Sequence, residues 1–501
     1  MSAPATNAGK RCARRSEKRR LGQYFTPPET ARFVLEAARL LLGARPQSLL
    51  DPACGEGVFL EAALDLGLVD RAGVFGMEID PSHCRSARRL GLDGNVRCAD
   101  ALEAVPAGRL ERARKSGFDI VAGNPPFGGG AGRGRLECRF AERFAELARP
   151  GGVGAVILPT GVFANKSSQR LRDTLGEMID PLAVVELPWS TFRGTGTNAR
   201  TCALFFKKRD RKRKLRGGGG SCLFVPYDGE SPPDEHYSRA LAGLSGGRLP
   251  ARARRVRGGE LVSRRWDPGW WCHEAVDLLA RVRVPLARLG EFVEHITYGP
   301  ILTGAKARRV ERGPVRVVGL REIRPTGLDL RRAMRVGEGS DRDLPRCRLK
   351  RGDIVFARSG AGSLLKGRAA VFGGPRPATV ACFVDLVRLR GIRPGYAAIC
   401  LRSAVVRSQI ERLANGVGTP NLSFGEIRAL RIPRVGEALE AELAREEATA
   451  RAAHARALSG GREPTAATRR FAGAVARLEA ASFPRGCLPG GRTGGRAGTR
   501  P

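Results

Sequence analysis

Four short apolar runs in this chain end the same way, and that repetition restricts the fold more than any other feature. SLLDPACGEG, GVFGMEIDP, NVRCADAL and FDIVAGNPPF each pass from apolar residues to an acid or an Asn, and then into turn residues. The first strand runs into VFLEAALDLG, a helix ending at Gly67. Ahead of it, TPPETARFVLEAARLLL places Phe33, Val34, Ala37, Ala38, Leu41 and Leu42 at helical spacing behind Thr26 as an N-cap. GGVGAVILPTGVF, LAVVELP and RTCALFFKKR supply three more strands. Strands alternating with helices in this way predict a mostly parallel α/β sheet over residues 22–209. In such a sheet the carboxyl ends of the strands line one edge, where ligands bind. Asp51, Glu78, Asp100 and Asn124 should therefore converge.

The residue types at those ends narrow the chemistry. Small residues in Asp51-Pro52-Ala53-Cys54-Gly55-Glu56-Gly57 let a ligand approach the backbone where a helix begins. Glu78, 21 positions after Gly57, is placed to take both hydroxyls of a ribose. No G-x-x-x-x-G-K-[ST] loop is present, so a nucleoside carrying an uncharged or cationic sulfur fits better than a pyrophosphate. The two prolines after Asn124 make a rigid extended turn. That turn either stops the strand or holds one amide and two carbonyls toward a ligand.

The remaining text is less regular. At about 150 residues per domain, 501 residues suffice for roughly three domains. Residues 1–20 form a basic, flexible tail, and 210–284 read as a linker and irregular connecting region with Trp266, Trp270 and Trp271 clustered. A second organised region covers 285–436, a helical segment 437–480, and a Gly/Arg-rich disordered tail 481–501. No run of about 18 apolar residues is present, so no membrane span is expected. The N-terminus lacks the apolar core of a secretory signal, which predicts a cytoplasmic protein. The twelve cysteines include no C-x-x-C pair and histidines number five, so no metal site is expected. Net charge is +37, but 76 of the 87 basic residues are Arg. A GC-rich coding bias produces the same excess, so charge alone does not assign a polyanionic partner.

GQYFTPPETARFV, DPACGEGVFL, GMEIDP, ADAL and NPPF, in that order, resemble the motifs of the gamma-type N6-adenine DNA methyltransferases of restriction-modification systems. The resemblance covers residues 22–209 and implies a Rossmann-like class I domain dependent on S-adenosylmethionine. It implies that Phe25 and Thr26 close over the cofactor's methionine part, and that Asp51, Ala53, Gly55 and Gly57 form the loop beside it. Glu78 would bind the ribose, Ile79 would pack the adenine ring, and Asp100 would accept from its amine. The catalytic set would be Asn124, Pro125, Pro126 and Phe127, with Phe127 and Phe192 stacking on a flipped target base. At Ala101 many relatives carry a bulkier residue against the cofactor ring.

VPLARLGEFVEHITYG, LKRGDIVFARSGAG, ATVACFVDLVRLR and NGVGTPNLSFGEIRALRIPRV resemble target-recognition domains of type I restriction specificity subunits. That implies a mixed α/β module reading double-stranded DNA, with Arg358, Ser359, Lys366 and Asn421 facing it. No nuclease or Walker pattern is seen, so cleavage would need a separate restriction endonuclease subunit. Two rival readings are an rRNA or protein-glutamine N-methyltransferase, and a catalytically silent DNA-binding specificity protein.

Overall fold

The computed structural model describes residues 25–103, 109–128, 135–193, 200–210, 220–262, 264–301, 313–337, 344–360, 362–374, 376–414 and 420–484. The predicted tail at 1–20 lies outside the described residues, as does all of the predicted tail at 481–501 beyond residue 484. The chain divides into two units, Met1–His273 and Glu274–Pro501.

The first unit is organised by strands buried on both faces. β1 (Leu49–Asp51), β2 (Val74–Glu78) and β4 (Phe118–Gly123) are buried at every residue, as parallel strands covered by helices must be. β3 (Val96–Cys98) flanks β2, and β5 (Ala148–Pro159) flanks β4. Neighbouring residues serve opposite faces. Leu49 and Ile120 enter one core layer, Leu50 and Val121 the other. β6 (Ile179–Glu186) and β7 (Thr201–Lys208) complete the order β3-β2-β1-β4-β5-β7-β6, with β7 antiparallel to both neighbours and the pairs from β3 to β5 parallel. This is an open, doubly wound α/β sheet with an antiparallel extension at one edge. Strand order reverses at β1 and β4, so a crevice opens off their carboxyl ends.

Five helices matter for the site: α1 (Pro28–Leu42), α2 (Val58–Asp65), α3 (Pro81–Arg88), α4 (Arg109–Ser116) and α5 (Leu136–Leu147). In α1 the expected positions Phe33, Val34, Ala37 and Ala38 are buried. Its N-cap, however, is Pro27, which makes no side-chain cap; Thr26 is turned elsewhere, as described below.

The stretch read as a linker, 210–284, is largely part of this unit. Residues Ser221–Val225 pair parallel with β6, and Arg254–Arg257 pair antiparallel with them, extending the sheet to nine strands. Helix Pro233–Leu244 packs on α1 through Tyr237, which stacks on Phe33 at 4.5 Å and hydrogen-bonds Thr30 at 2.9 Å. Trp266 and Trp271 lie in the second core layer, and their indole N–H groups donate to the carbonyls of Leu261 and Arg265. The linker reading failed because a five-residue strand beside a run of charge and glycine has no periodicity long enough to register.

The second unit is mixed α/β. Strands Val293–Tyr298, Val384–Leu389, Ile354–Ala357 and Ala369–Val371 form one antiparallel sheet in that order. Val315–Val318 lies between Arg335–Val336 and Ala378–Val380 in another. Helices Glu437–Ser459 and Thr465–Ser482 bring Leu443, Ala450, Phe471 and Leu478 into the same core as Tyr396 and Ile399. The helical segment thus shares its core with 285–436, and it runs to Ser482, two residues into the predicted tail.

Trp266→Ala should destabilise the first unit by about 3–5 kcal/mol, the cost of emptying a buried aromatic site. A denaturant titration showing a loss under about 1 kcal/mol would mean that the segment after β7 is a dispensable attachment.

Candidate active site

The site forms where β1, β2, β3 and β4 end. Asp51 closes β1 and is 1% exposed; its Oδ1 accepts from the Ala53 N–H at 2.9 Å. Gly123 ends the neighbouring β4. A Cβ there would come within 2.4 Å of Asp51 Oδ1, so only glycine allows this strand end. The loop beyond Asp51 is tied to β2, since Cys54 N–H donates to the Met77 carbonyl at 2.9 Å. It turns into α2 at Gly57, whose φ of 103° lies in the left-handed region.

Glu78 organises both sides of the crevice. Its Oε2 accepts from Gly55 N–H and its Oε1 from Asp80 N–H, each at 2.8 Å, and the residue is 6% exposed. A carboxylate offers about four lone-pair positions, so each oxygen can accept one more donor. Asp80 caps α3 through Ser82. Besides that backbone cap, the Ser82 hydroxyl donates to Asp80 Oδ1 at 2.6 Å and holds the Asp80 carboxyl below its usual range. Burial pushes the Asp51 carboxyl up to about 8, against the pull of the Ala53 N–H and with help from the Glu78 charge.

Asn124 sits at the end of β4, and its Nδ2 donates to Thr26 Oγ1 at 3.0 Å. This bond joins two motifs 98 positions apart. Phe25 packs edge-on against His83 at 5.8 Å, and His83 Nε2 lies 3.9 Å from Glu56 Oε1. One cavity is lined by Phe25, Ala53, Gly55, Glu78, Ile79, Asp100, Ala101, Asn124 and Pro126. Ile79, one of the lining residues, is 61% exposed. Asp100 is half-buried and its Oδ1 accepts from Leu102 N–H at 2.9 Å. Thr26 and Asp51 do not line the cavity but hydrogen-bond residues that do, Asn124 and Ala53.

The sequence reading missed several lining residues. Pro52, His83, Ala99, Leu102, Leu136, Arg139 and Phe140 also face the cavity. Leu136, Arg139 and Phe140 follow i, i+3, i+4 spacing on α5, a signal that was present in LECRFAERF. From the same helix, Arg143 donates to the carbonyls of Ala101 and Glu103 at 2.7 and 3.0 Å, pinning the loop after β3. Beyond the prolines, Phe127 and Phe192 are 8% and 2% exposed and meet edge-to-face at 6.5 Å.

In the second unit, Arg358 and Asn421 come together: Arg358 Nε donates to Asn421 Oδ1 at 3.3 Å, and Ser359 bridges Asn421 through the backbone. Lys366 is exposed and makes no hydrogen bond with them among the described residues.

Residues 10–225 match the sequence family described as N-6 DNA Methylase. The motif-based recognition is borne out for that segment. Over 217 residues the chain is 26% identical to the Type I restriction enzyme EcoEI methylase subunit of Escherichia coli, covering 37% of this chain and 42% of that one. Over 141 residues it is 30% identical to the rRNA N(6)-adenosine-methyltransferase metl-5 of Caenorhabditis elegans, covering 27% and 62%. It thus spans less than two thirds of either relative. A solved structure described as a cryoEM DrdV-DNA complex superposes with a TM-score of 0.50 at 12% identity, over 89% of this chain and 59% of that one, which is a likeness of fold. No helix among the described residues is long and apolar enough to cross a membrane.

The Asp51 carboxyl generates a pH test. Its folded pKa of about 8 exceeds the ordinary 3.8, so the folded chain holds this proton more tightly. Its contribution to stability is complete below about pH 4 and is lost as pH rises toward 8. Asp51→Asn removes that dependence. Its stability relative to the unsubstituted protein should therefore rise steadily across this window. Melting curves with a constant gap from pH 4 to 8 would show that Asp51 ionises as freely folded as unfolded.

Proposed function

We propose that this chain is a site-specific DNA methyltransferase, transferring a methyl group from S-adenosylmethionine to the N6 amine of adenine. The observation that carries the reading is the convergence of Glu78, Asp100 and Asn124 on one cavity, with Asn124 anchored to Thr26. The match of residues 10–225 to the N-6 DNA Methylase family and the likeness to a restriction methylase subunit support it.

The donors and acceptors around the cavity suit an adenosyl group. Glu78 has acceptor capacity for two ribose hydroxyls, Asp100 for an adenine amine, and Ile79 an apolar face for the ring. The bound cofactor supplies an electrophilic methyl on a sulfonium. The chain's own task is to raise the nucleophilicity of a conjugated, weakly basic amine. In this reading Asn124 Oδ1 and the Pro125 carbonyl each accept one N–H of the target adenine. That shifts its lone pair onto nitrogen, and positioning does most of the work. Thr26 fixes the Asn124 amide, so Oδ1 rather than Nδ2 faces the amine. Pro125 and Pro126 stiffen the turn that presents both acceptors. The target base would leave the duplex to reach them, with Phe127 and Phe192 parting to provide the stacking surface. The second unit would read double-stranded DNA. A separate restriction endonuclease subunit would supply any cleavage, within the cytoplasm.

Tritium transfer from labelled S-adenosylmethionine to unmethylated DNA, free RNA and protein distinguishes the readings. We expect label in DNA, as N6-methyladenine. Label only in RNA or in protein glutamine would overturn the DNA assignment, and DNA binding without transfer would make the chain a silent specificity protein.

Asn124→Ala should lower kcat by about 10²–10³, the usual scale for removing one preorganised transition-state contact, while calorimetry shows cofactor affinity nearly unchanged. Transfer at the normal rate would leave the prolines as mere strand terminators. Glu78→Ala should instead weaken cofactor binding by about 2–3 kcal/mol, the worth of charge-assisted bonds to two hydroxyls. Unaltered calorimetric affinity would remove Glu78 from the cofactor's contacts.

A further inference from the structure

Asp385 is an expensive residue for the second unit to keep. It lies in an inner strand of the four-stranded antiparallel sheet, 0% exposed, and among the described residues neither carboxylate oxygen has a hydrogen-bond partner. Among the described residues it is ion-paired with Arg358, whose Nη1 is 3.7 Å from Asp385 Oδ1. Burial pushes the Asp385 carboxyl up to about 7, and the Arg358 charge pulls it back down. A buried carboxylate with one cation and no N–H or O–H donor costs more desolvation than its pairing returns. Packing alone would favour an apolar residue there.

What the carboxylate does hold is a guanidinium at the surface. The Arg358 side chain is 17% exposed. Its guanidinium carbon lies 4.7 Å from the Tyr298 ring centre and 5.6 Å from that of Phe424, while Nε donates to Asn421. The backbone is fastened as well: Arg358 N–H donates to the Phe383 carbonyl at 3.2 Å, and Leu422 N–H to the Arg358 carbonyl at 3.1 Å. The surroundings are not those of a closed core, because Tyr298 and Phe383 are 49% and 53% exposed. An immobilised planar cation among exposed aromatic rings suits nucleic acid, which offers paired acceptors and flat apolar faces.

We propose that Arg358 is the cation with which the second unit grips paired hydrogen-bond acceptors of DNA, and that Asp385 is its positioning residue, acting only through Arg358. This rests on the reading of the chain as a DNA methyltransferase. The acceptors would be the N7 and O6 of a guanine edge or two phosphate oxygens; both match a guanidinium fork and neither matches an ammonium.

The test uses the full chain. Sequencing of N6-methyladenine in DNA from cells expressing the unsubstituted protein gives its site. Affinity is then measured on a labelled duplex carrying that site and on a random duplex, at several salt concentrations. Asp385→Asn leaves the largely buried Arg358 charge without its partner and should melt somewhat lower, and at a temperature where it is fully folded it should bind the site roughly tenfold more weakly. Arg358→Lys keeps the charge beside Asp385 but loses the fork, and should lose roughly tenfold or more as well. The double variant should bind no worse than Arg358→Lys, because Asp385 has nothing further to position. A guanine contact would show as relaxed choice at one position of the methylated site. A phosphate contact would show as an equal loss on both duplexes and a salt slope smaller by about one. Variants that bind and methylate like the unsubstituted protein, or losses that add in the double variant, would overturn the proposal while leaving the methyltransferase reading intact. An unsubstituted protein that neither binds DNA nor leaves methyladenine in it would sink both.

Discussion

The parallel pairing of β1 with β4 is the constraint on which the first unit depends. It puts the Asp51 carboxylate against the backbone of Gly123, where not even a methyl group fits. On either side of this pair the chain order runs in opposite directions, and the helices that follow the two strands leave to opposite faces. The crevice between them is therefore a consequence of connectivity. Everything assigned to the candidate site hangs on its rim: the loop after Asp51, the carboxylate at the end of β2, the loop after β3, and Asn124 after β4.

Glu78 shows how such a rim is kept ready. Its two oxygens hold the loop after β1 and the turn into α3, so the carboxylate is oriented before any ligand arrives. Asn124 is treated likewise, with its amide fixed by Thr26. Groups held by the scaffold need not be reordered on binding, which is the main advantage of preorganisation. The second unit has its own version of this device in Arg358, clasped by a buried acid, an amide and two rings. The aromatic pair Phe127–Phe192 is different, because its rings meet edge-to-face and are buried.

Much of this was legible in the one-dimensional text, for a physical reason. Parallel strands covered on both faces read as unbroken apolar runs, and their carboxyl ends must share an edge, so an acid closing each run announces where it will lie. The helical face Phe33–Ala38 was legible because 3.6-residue periodicity is a local property. The α5 face that lines the cavity carried the same kind of signal, but charged residues within it obscured its role.

Sequence alone thus determined the parallel α/β sheet, its edge, and the residues Glu78, Asp100 and Asn124 brought there, because each follows from local pattern plus the rules of strand connection. Tertiary structure alone decided the rest. Thr26 could cap a helix or hold an amide, and only the approach of two segments 98 residues apart settled it for Asn124. The strands after β7 are too short to declare themselves, and they exist because the edge of β6 offered hydrogen bonds and an apolar surface. Asp385, the second residue of the strand Val384–Leu389, pairs with an arginine 27 positions earlier. No periodicity records such a pairing, because the two residues lie on segments that meet only in the folded unit.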